Sequence, residues 1–394
     1  MNASLKIFGL TLLFFVCIYP VDAQQNKDSV AVDLPEKTST TSVHGQLTGW
    51  TVMQFADPVN TQLGARFVPV LTGNFNPGMD FEASLNAQSA FDFTGARYDT
   101  ATYVFRLYRL WLRHSGDNWE IRGGLQQINF GTAKMFRPLM WFDRMDVRDP
   151  LRLTDGVYAL LGKYFFPNNA NIWLWSLIGN DKPKGFEFLG SARWIPEVGG
   201  RLQVPLGLGE LAFSTHYRKA DVRTLLPVAP ERTYLDETRF GLDGKWDIGI
   251  GLWFEASTTL MQKNEYKIAL YQDFLNVGAD YTLPVGNGIG VSAEYFRYHI
   301  GDTFFNGGKS IGIIGSIFTY PVSILDNASA MFFYVSEQNL WFNYLSYHRT
   351  YDKWDFYLIG FWNPETMLPV SPLQSGQRNL FAGKGLQFLV NYNF

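Results

Sequence analysis

The chain has 394 residues, 46% of them hydrophobic and 16% aromatic, with only 18% charged and a formal net charge of −3, against roughly 25% charged for an average soluble domain. Beyond the first twenty residues it holds no apolar run of the length, about 20 residues, that a spanning helix needs. Its wealth of core-forming residues at low net charge excludes disorder and a polybasic nucleic-acid binder, which leaves a large all-β chain.

Residues 1–23 carry Lys6, an apolar stretch over 7–19 and then Val21-Asp22-Ala23, small enough at the end for cleavage before Gln24. This reads as an export signal, too short to span a bilayer. The lone cysteine, Cys17, falls inside it. The mature chain therefore has no thiol, which rules out a disulfide scaffold, a cysteine nucleophile and a cysteine metal site. Residues 24–42 are polar and without apolar period, and read as a flexible tail.

From Val43 onward, over 43–394, the dominant period is two. Met79, Phe81, Ala83, Leu85 and Ala87 interleave with Asp80, Glu82, Ser84, Asn86 and Gln88. The same alternation returns at Leu211 to Tyr217, Phe240 to Trp246 and Leu252 to Ala256. Sandwiches and soluble barrels share such alternation. Strands of ten or more residues instead match the span of a tilted membrane strand, about 9–11 residues, with apolar side chains toward lipid and polar ones toward a lumen. Clustered aromatics at Trp173 and Trp175, at Tyr295 to Tyr298 and at Tyr344 to Tyr351 suit interfacial girdles. The fold class predicted is a transmembrane antiparallel β-barrel.

Turn signals place strands at 43–55, 65–71, 79–93, 103–114, 118–128, 156–166, 170–180, 186–204 and 209–220. Further strands fall at 234–247, 250–263, 268–283, 288–300, 309–321, 327–337, 340–349, 353–362 and 384–394. That makes eighteen, with sixteen left open by the weak 65–71 segment and by Gly199-Gly200 inside 186–204. If the last strand ends in the periplasm, all the periplasmic turns are short, among them Ser115 to Asn118 and Asp326-Asn327, as such barrels require. The longest connections, 129–155 and 363–383, then both lie outside.

An eighteen-strand barrel leaves an aqueous channel unless something fills it. The segment 129–155 is the element that can narrow it. It carries Lys134, Arg137, Arg144, Arg148 and Arg152 together with Asp143, Asp146, Asp149 and Asp155. Opposed charges across a constriction sort solutes by charge and dipole. Met135, Phe136, Leu139, Met140, Trp141 and Phe142 also need burial, which folding into the lumen provides. Arg106, Arg109 and Arg113 on one strand and Arg122 on the next form a basic wall that either attracts anions or pairs with Asp80, Glu82 and Glu120 on nearby strands. Keeping all the arginines in the lumen requires a β-bulge near Tyr108-Arg109. The five histidines are scattered, so no metal site, cofactor or catalytic constellation is expected.

Ile121-Arg122-Gly123-Gly124-Leu125-Gln126-Gln127-Ile128-Asn129-Phe130-Gly131, with the following Asp149-Pro150-Leu151 to Gly156, resembles the wall strand and inward loop of Gram-negative outer-membrane porins of the alginate-export and phosphate-selective grouping. The resemblance implies that Arg122 and Gln126 line the channel near the loop. The final strand, with Leu386, Phe388, Val390, Tyr392 and Phe394 on one face, resembles the closing strand of outer-membrane barrels, and implies that Tyr392 and Phe394 are the signal read by the barrel-assembly machinery. The expected function is passive diffusion of small hydrophilic solutes, anions among them, across the outer membrane of a Gram-negative bacterium. A non-conducting barrel serving as a surface scaffold, adhesin or enzyme is the alternative. The expected partners are outer-membrane lipid, the assembly machinery and the solutes themselves, with no nucleic acid; monomer and trimer both stay open.

Overall fold

The computed structural model describes residues 40–224, 233–264, 266, 268–365 and 379–394. The expected export signal, nearly all of the 24–42 tail and much of the 363–383 connection lie outside the described residues. In chain order the strands are β1 (Thr41–Gln54), β2 (Asn60–Asn76), β3 (Met79–Thr94), β4 (Arg97–Ser115), β5 (Trp119–Gln126), β6 (Val157–Phe165), β7 (Asn171–Leu177), β8 (Gly190–Ser191), β9 (Glu197–Leu206) and β10 (Gly209–Asp221). Then follow β11 (Tyr234–Asp247), β12 (Gly251–Met261), β13 (Tyr271–Leu283), β14 (Ile289–Gly301), β15 (Lys309–Pro321), β16 (Asp326–Val335), β17 (Leu340–Tyr351), β18 (Trp354–Trp362) and β19 (Lys384–Asn393).

Each strand pairs antiparallel with its neighbour, and β1 pairs with both β2 and β19, so the sheet closes. The two-residue β8 pairs onto β10, while β7 pairs directly with β9; the remaining eighteen strands form the barrel wall. At the seam the Phe394 N–H donates to the Gly45 carbonyl and the Gly45 N–H to the Phe394 carbonyl, both at 3.1 Å. Closure leaves no free edge, which is the condition for a sheet to sit in lipid.

Alternation assigns the two faces. On β4, Phe105, Leu107, Leu110 and Leu112 are exposed on the barrel exterior, and on β19 Leu386 and Phe388 are exposed likewise. Inward positions are polar and covered: Ser84 and Asn86 on β3, Asp243 on β11, Glu255 and Ser257 on β12 and Glu294 on β14 are all buried. An apolar belt circling the whole barrel is far larger than a soluble protein exposes, and suits contact with hydrocarbon.

The bulge required by the arginine spacing is present. Leu85 pairs with Leu107 and Ser84 with Arg109, so Tyr108 has no partner across the ladder. That extra residue resets the alternation, and Arg106 and Arg109 face inward while Leu107 and Leu110 both face out. Three sequence expectations are corrected. The weak 65–71 segment is the middle of the seventeen-residue β2. The upstream half of 186–204 is not barrel wall: β9 starts at Glu197, and Leu189, Ser191 and Ala192 upstream of it are buried while Phe188 and Trp194 stay exposed. The turn expected at Asp326-Asn327 falls at 322–325, because the Asp326 carboxylate accepts from the Ser323 hydroxyl at 2.7 Å and its carbonyl from the Val322 N–H at 2.9 Å.

Candidate functional site

The connection from β5 to β6, residues 127–156, lies inside the barrel, and two carboxylates on facing strands hold it. Glu255 on β12 accepts from the backbone N–H groups of Thr132, Ala133 and Leu139. Glu294 on β14 accepts from those of Lys134 at 2.7 Å and Phe136 at 2.9 Å, and also from Met135, Asn276 and Trp253. A buried carboxylate is tolerable when its lone pairs are met in this way, and the loop's unpaired N–H groups are met at the same time. The Trp141 indole donates to the Ser257 hydroxyl at 3.0 Å. Apolar loop residues fill the space around these contacts. Met135 and Phe136 pack with Phe274, Phe296, Phe333 and Phe342 from the wall, and Phe130, Leu139, Trp141 and Phe142 pack with Leu161, Trp175 and Leu177.

The opposite side of the lumen stays open. A chamber of about 410 Å³ lies between the loop and the wall of β1 to β4 and β19; Trp50, Arg66, Asp92, Arg106, Asp149 and Asp155 are among its lining. A second, of about 370 Å³ and nearer the barrel end that carries Phe394, is bordered by Glu82, Arg109, Trp111, Arg122 and Lys163. Arg109 stands between them. It is buried, donates to the Thr154 carbonyl of the first chamber at 2.8 Å and reaches the Gln127 side chain of the second. Its guanidinium also lies 4.0 Å from the Tyr108 ring centroid, so the bulge residue supports it.

The charged loop residues divide by role. Arg144, Asp146 and Asp149 line the larger chamber. Arg148 pairs with Asp146 at 2.6 Å just behind that surface, with the Phe381 ring beneath it. Arg137 and Asp143, expected at the constriction, instead form a buried pair at 3.2 Å inside the loop, and Arg137 also donates to the Phe130 carbonyl at 3.0 Å. Lys134 points the other way, to an ion pair with Asp280 on β13. Arg152 is exposed at a left-handed turn with φ of 47°. On the wall, Arg106 pairs with Asp155 at 2.6 Å, Arg113 with Asp80 at 2.7 Å and Arg122 with Glu120 at 3.0 Å. Gln126 corrects the expectation: it is fully buried and donates to the Arg122 and Ala159 carbonyls, so it braces β5 against β6 and offers nothing to the lumen.

Within the loop, environment separates the acids. Burial pushes the Asp149 carboxyl up, against the opposing charge of Arg66 across the chamber. Burial pushes Asp143 up too, only partly offset by Arg137. For Asp146 burial acts in the same direction, but the charge and hydrogen bonds of Arg148 outweigh it and hold the carboxyl below the usual range.

Sequence reasoning missed two features. Arg66, Asp92, Glu255 and Glu294 were visible only as polar members of alternating strands, since their roles depend on which strand faces the loop. The segment before β9 is a second inward element. Glu187 pairs there with Arg239 at 2.6 Å and with Arg218 at 3.1 Å, and Lys184 with Glu197 at 3.0 Å. The signal was present as Phe188-Leu189-Gly190, where the apolar/polar alternation of the expected strand breaks. Among the described residues no group of three His, Cys, Asp or Glu side chains is disposed to hold a metal ion.

No protein-family model matches the chain, and no curated protein sequence does. Solved structures do resemble it. The anion-selective porin of Comamonas acidovorans superposes with a TM-score of 0.50 at 13% identity, over 91% of this chain and 100% of that one. OccAB4 of Acinetobacter baumannii gives 0.54 at 11% identity, over 91% and 99%. OccAB1 of the same organism gives 0.54 at 7% identity, over 90% and 96%. The chain shares the barrel fold of outer-membrane porins, and at such identities the likeness carries the fold alone.

Proposed function

We propose that this chain is a passive diffusion channel of a Gram-negative outer membrane, carrying small hydrophilic solutes, anions among them, past a constriction made by the loop 127–156. The supporting observation is the lopsided lumen: the loop is fastened to one side and leaves two charged chambers against the other. Arg66 and Arg106 in the first, and Arg109, Arg122 and Lys163 in the second, give anions a succession of cationic side chains along the wall. Asp146, Asp149 and Asp155 on the loop face them and make the passage selective. The anion-selective character of the Comamonas porin agrees with this reading. On the same reading the export signal at 1–23 is removed, and the final strand with Tyr392 and Phe394, which joins β1 at the seam, is presented to the assembly machinery.

The test is single-channel conductance and reversal potential of the refolded protein in planar bilayers. Steady conductance, with ion selectivity altered by Arg106→Gln, is the expected result. Silence from verified barrels favours the closed alternative, a scaffold, adhesin or enzyme, for which the two apolar clusters in the lumen speak.

A further inference from the structure

Most charges along the open side of the lumen are matched. Arg106 is held by Asp155 at 2.6 Å, Arg148 by Asp146 at 2.6 Å and Arg113 by Asp80 at 2.7 Å. Three groups lining the larger chamber are not. Arg66 makes no ion pair among the described residues, and its buried Nε has no hydrogen-bond partner. The Trp50 ring centroid, 5.9 Å from the guanidinium carbon, flanks it. Asp92 is buried and accepts from the Gln62 amide at 3.0 Å, and among the described residues it makes no ion pair. Asp149, on the loop, accepts from the Leu151 N–H at 3.0 Å and feels the charge of Arg66 across the gap without contact.

Charges of opposite sign that face each other in a confined space gain by closing on one another, unless the backbone holds them apart. Here β2 and β3 carry Arg66 and Asp92, while the loop seated by Glu255 and Glu294 carries Asp149. The gap between them is therefore fixed, and a solute can fill it. We infer that this chamber is a binding subsite for a small zwitterion, a solute bearing a carboxylate for Arg66 and an ammonium group for Asp149 and Asp92. The inference rests on the channel reading and names the substrate class. A simple anion satisfies Arg66 but meets two carboxylates. A simple cation satisfies those but meets Arg66. A zwitterion meets each with its opposite, and about 410 Å³ falls in the range of small-molecule sites.

The experiment titrates γ-aminobutyrate, butyrate and butylammonium against the full-length refolded protein, by calorimetry in detergent and by current recording in planar bilayers. γ-Aminobutyrate is expected to bind and to interrupt the current. Butyrate and butylammonium, each forfeiting one charge-assisted set of hydrogen bonds, are expected to bind roughly tenfold or more weakly. Arg66→Gln and Asp149→Asn each lower γ-aminobutyrate affinity by roughly ten- to hundredfold, while Arg349→Gln, far from the chamber, leaves it unchanged. If Arg66→Gln does not assemble, Arg66→Lys keeps the charge without the fork and is expected at intermediate affinity. Butyrate binding as tightly as γ-aminobutyrate, with Asp149→Asn silent, overturns the zwitterion in favour of a plain anion site. A conducting barrel that binds none of the three overturns the subsite and leaves the channel standing. A barrel that binds γ-aminobutyrate but never conducts overturns the channel instead.

Discussion

The two sides of the lumen use the same loop in opposite ways. Toward β12 to β18 the loop presents Met135, Phe136 and a run of backbone N–H groups, and the wall answers with phenylalanines and with Glu255 and Glu294. Toward β1 to β4 it presents Arg144, Asp146 and Asp149, and the wall answers with Arg66 and Asp92 across an open chamber, while Asp155 bridges to Arg106 at 2.6 Å. On one side the loop is packed and capped by wall carboxylates; on the other Arg66, Asp92 and Asp149 stand apart around an open chamber. The lesson is that the passage is positioned by where the loop is fastened. Apolar burial and carboxylate capping on the far wall decide that the remaining space, and its field, lie along the arginine wall.

The comparison breaks most sharply at the fastening. Glu294→Ala strands the N–H groups of Lys134, Met135 and Phe136 together with donors from Asn276 and Trp253, and each buried donor left unmatched costs about 1–3 kcal/mol. The loop is expected to leave its seat and single-channel conductance to rise severalfold, with Glu294→Gln intermediate because it keeps one acceptor. Unaltered conductance and unaltered protease resistance of the loop would show that the fastening lies elsewhere. Next in size is the barrel exterior. Leu85→Arg places a cation in hydrocarbon at a cost of about 2–4 kcal/mol near the midplane, whereas Asn86→Arg, one residue on, faces the lumen. Folding titrations in lipid vesicles should separate the two variants, and equal losses would sink the face assignment. Smaller again is Arg106→Gln on the open side. Its half-exposed pair with Asp155 contributes about 0–1 kcal/mol, so stability stays put while the permeability ratio moves toward cations, read from the reversal potential.

The barrel was legible in the sequence because a strand's period of two is local: eighteen alternating segments and their short turns lie along the chain, and even the bulge at Tyr108 follows from the spacing of Arg106, Arg109 and the leucines. The inward loop was legible as an unburied apolar run between strands. What could not be read is which wall the loop meets. Glu255 lies more than a hundred residues from the N–H groups it accepts from, and nothing local distinguishes it from any lumenal carboxylate. Arg137 and Asp143 looked like constriction charges and are instead a pair inside the loop, because a loop buried in a lumen needs ion pairs of its own. Arg66 is likewise unmarked in the sequence, lying in the 65–71 segment that is only the middle of β2.

The finest test of the comparison is pH. Burial places the Asp149 carboxyl above the usual carboxylate range, while Arg148 holds Asp146 below it. As pH falls from neutrality, Asp149 is therefore the first of the two to lose its charge, opposite Arg66 in the open chamber. The permeability ratio is expected to drift toward anions in that window, and the Asp149→Asn channel to show the shifted ratio already at neutral pH and no drift. Loop stability follows a different course. A raised folded-state pKa contributes stability below the unfolded value that is lost as pH rises through the folded value, so protonating Asp149 does not loosen the loop. The lowered Asp146 contributes stability above its unfolded value that is lost only as pH falls through its own depressed range. Selectivity should thus change as Asp149 takes up its proton, while the Asp146–Arg148 pair within the loop persists to lower pH. A single transition in which selectivity and conductance change together would mean that the open side and the fastened side are not separable, and that the field in the chamber is held by the same groups that hold the loop.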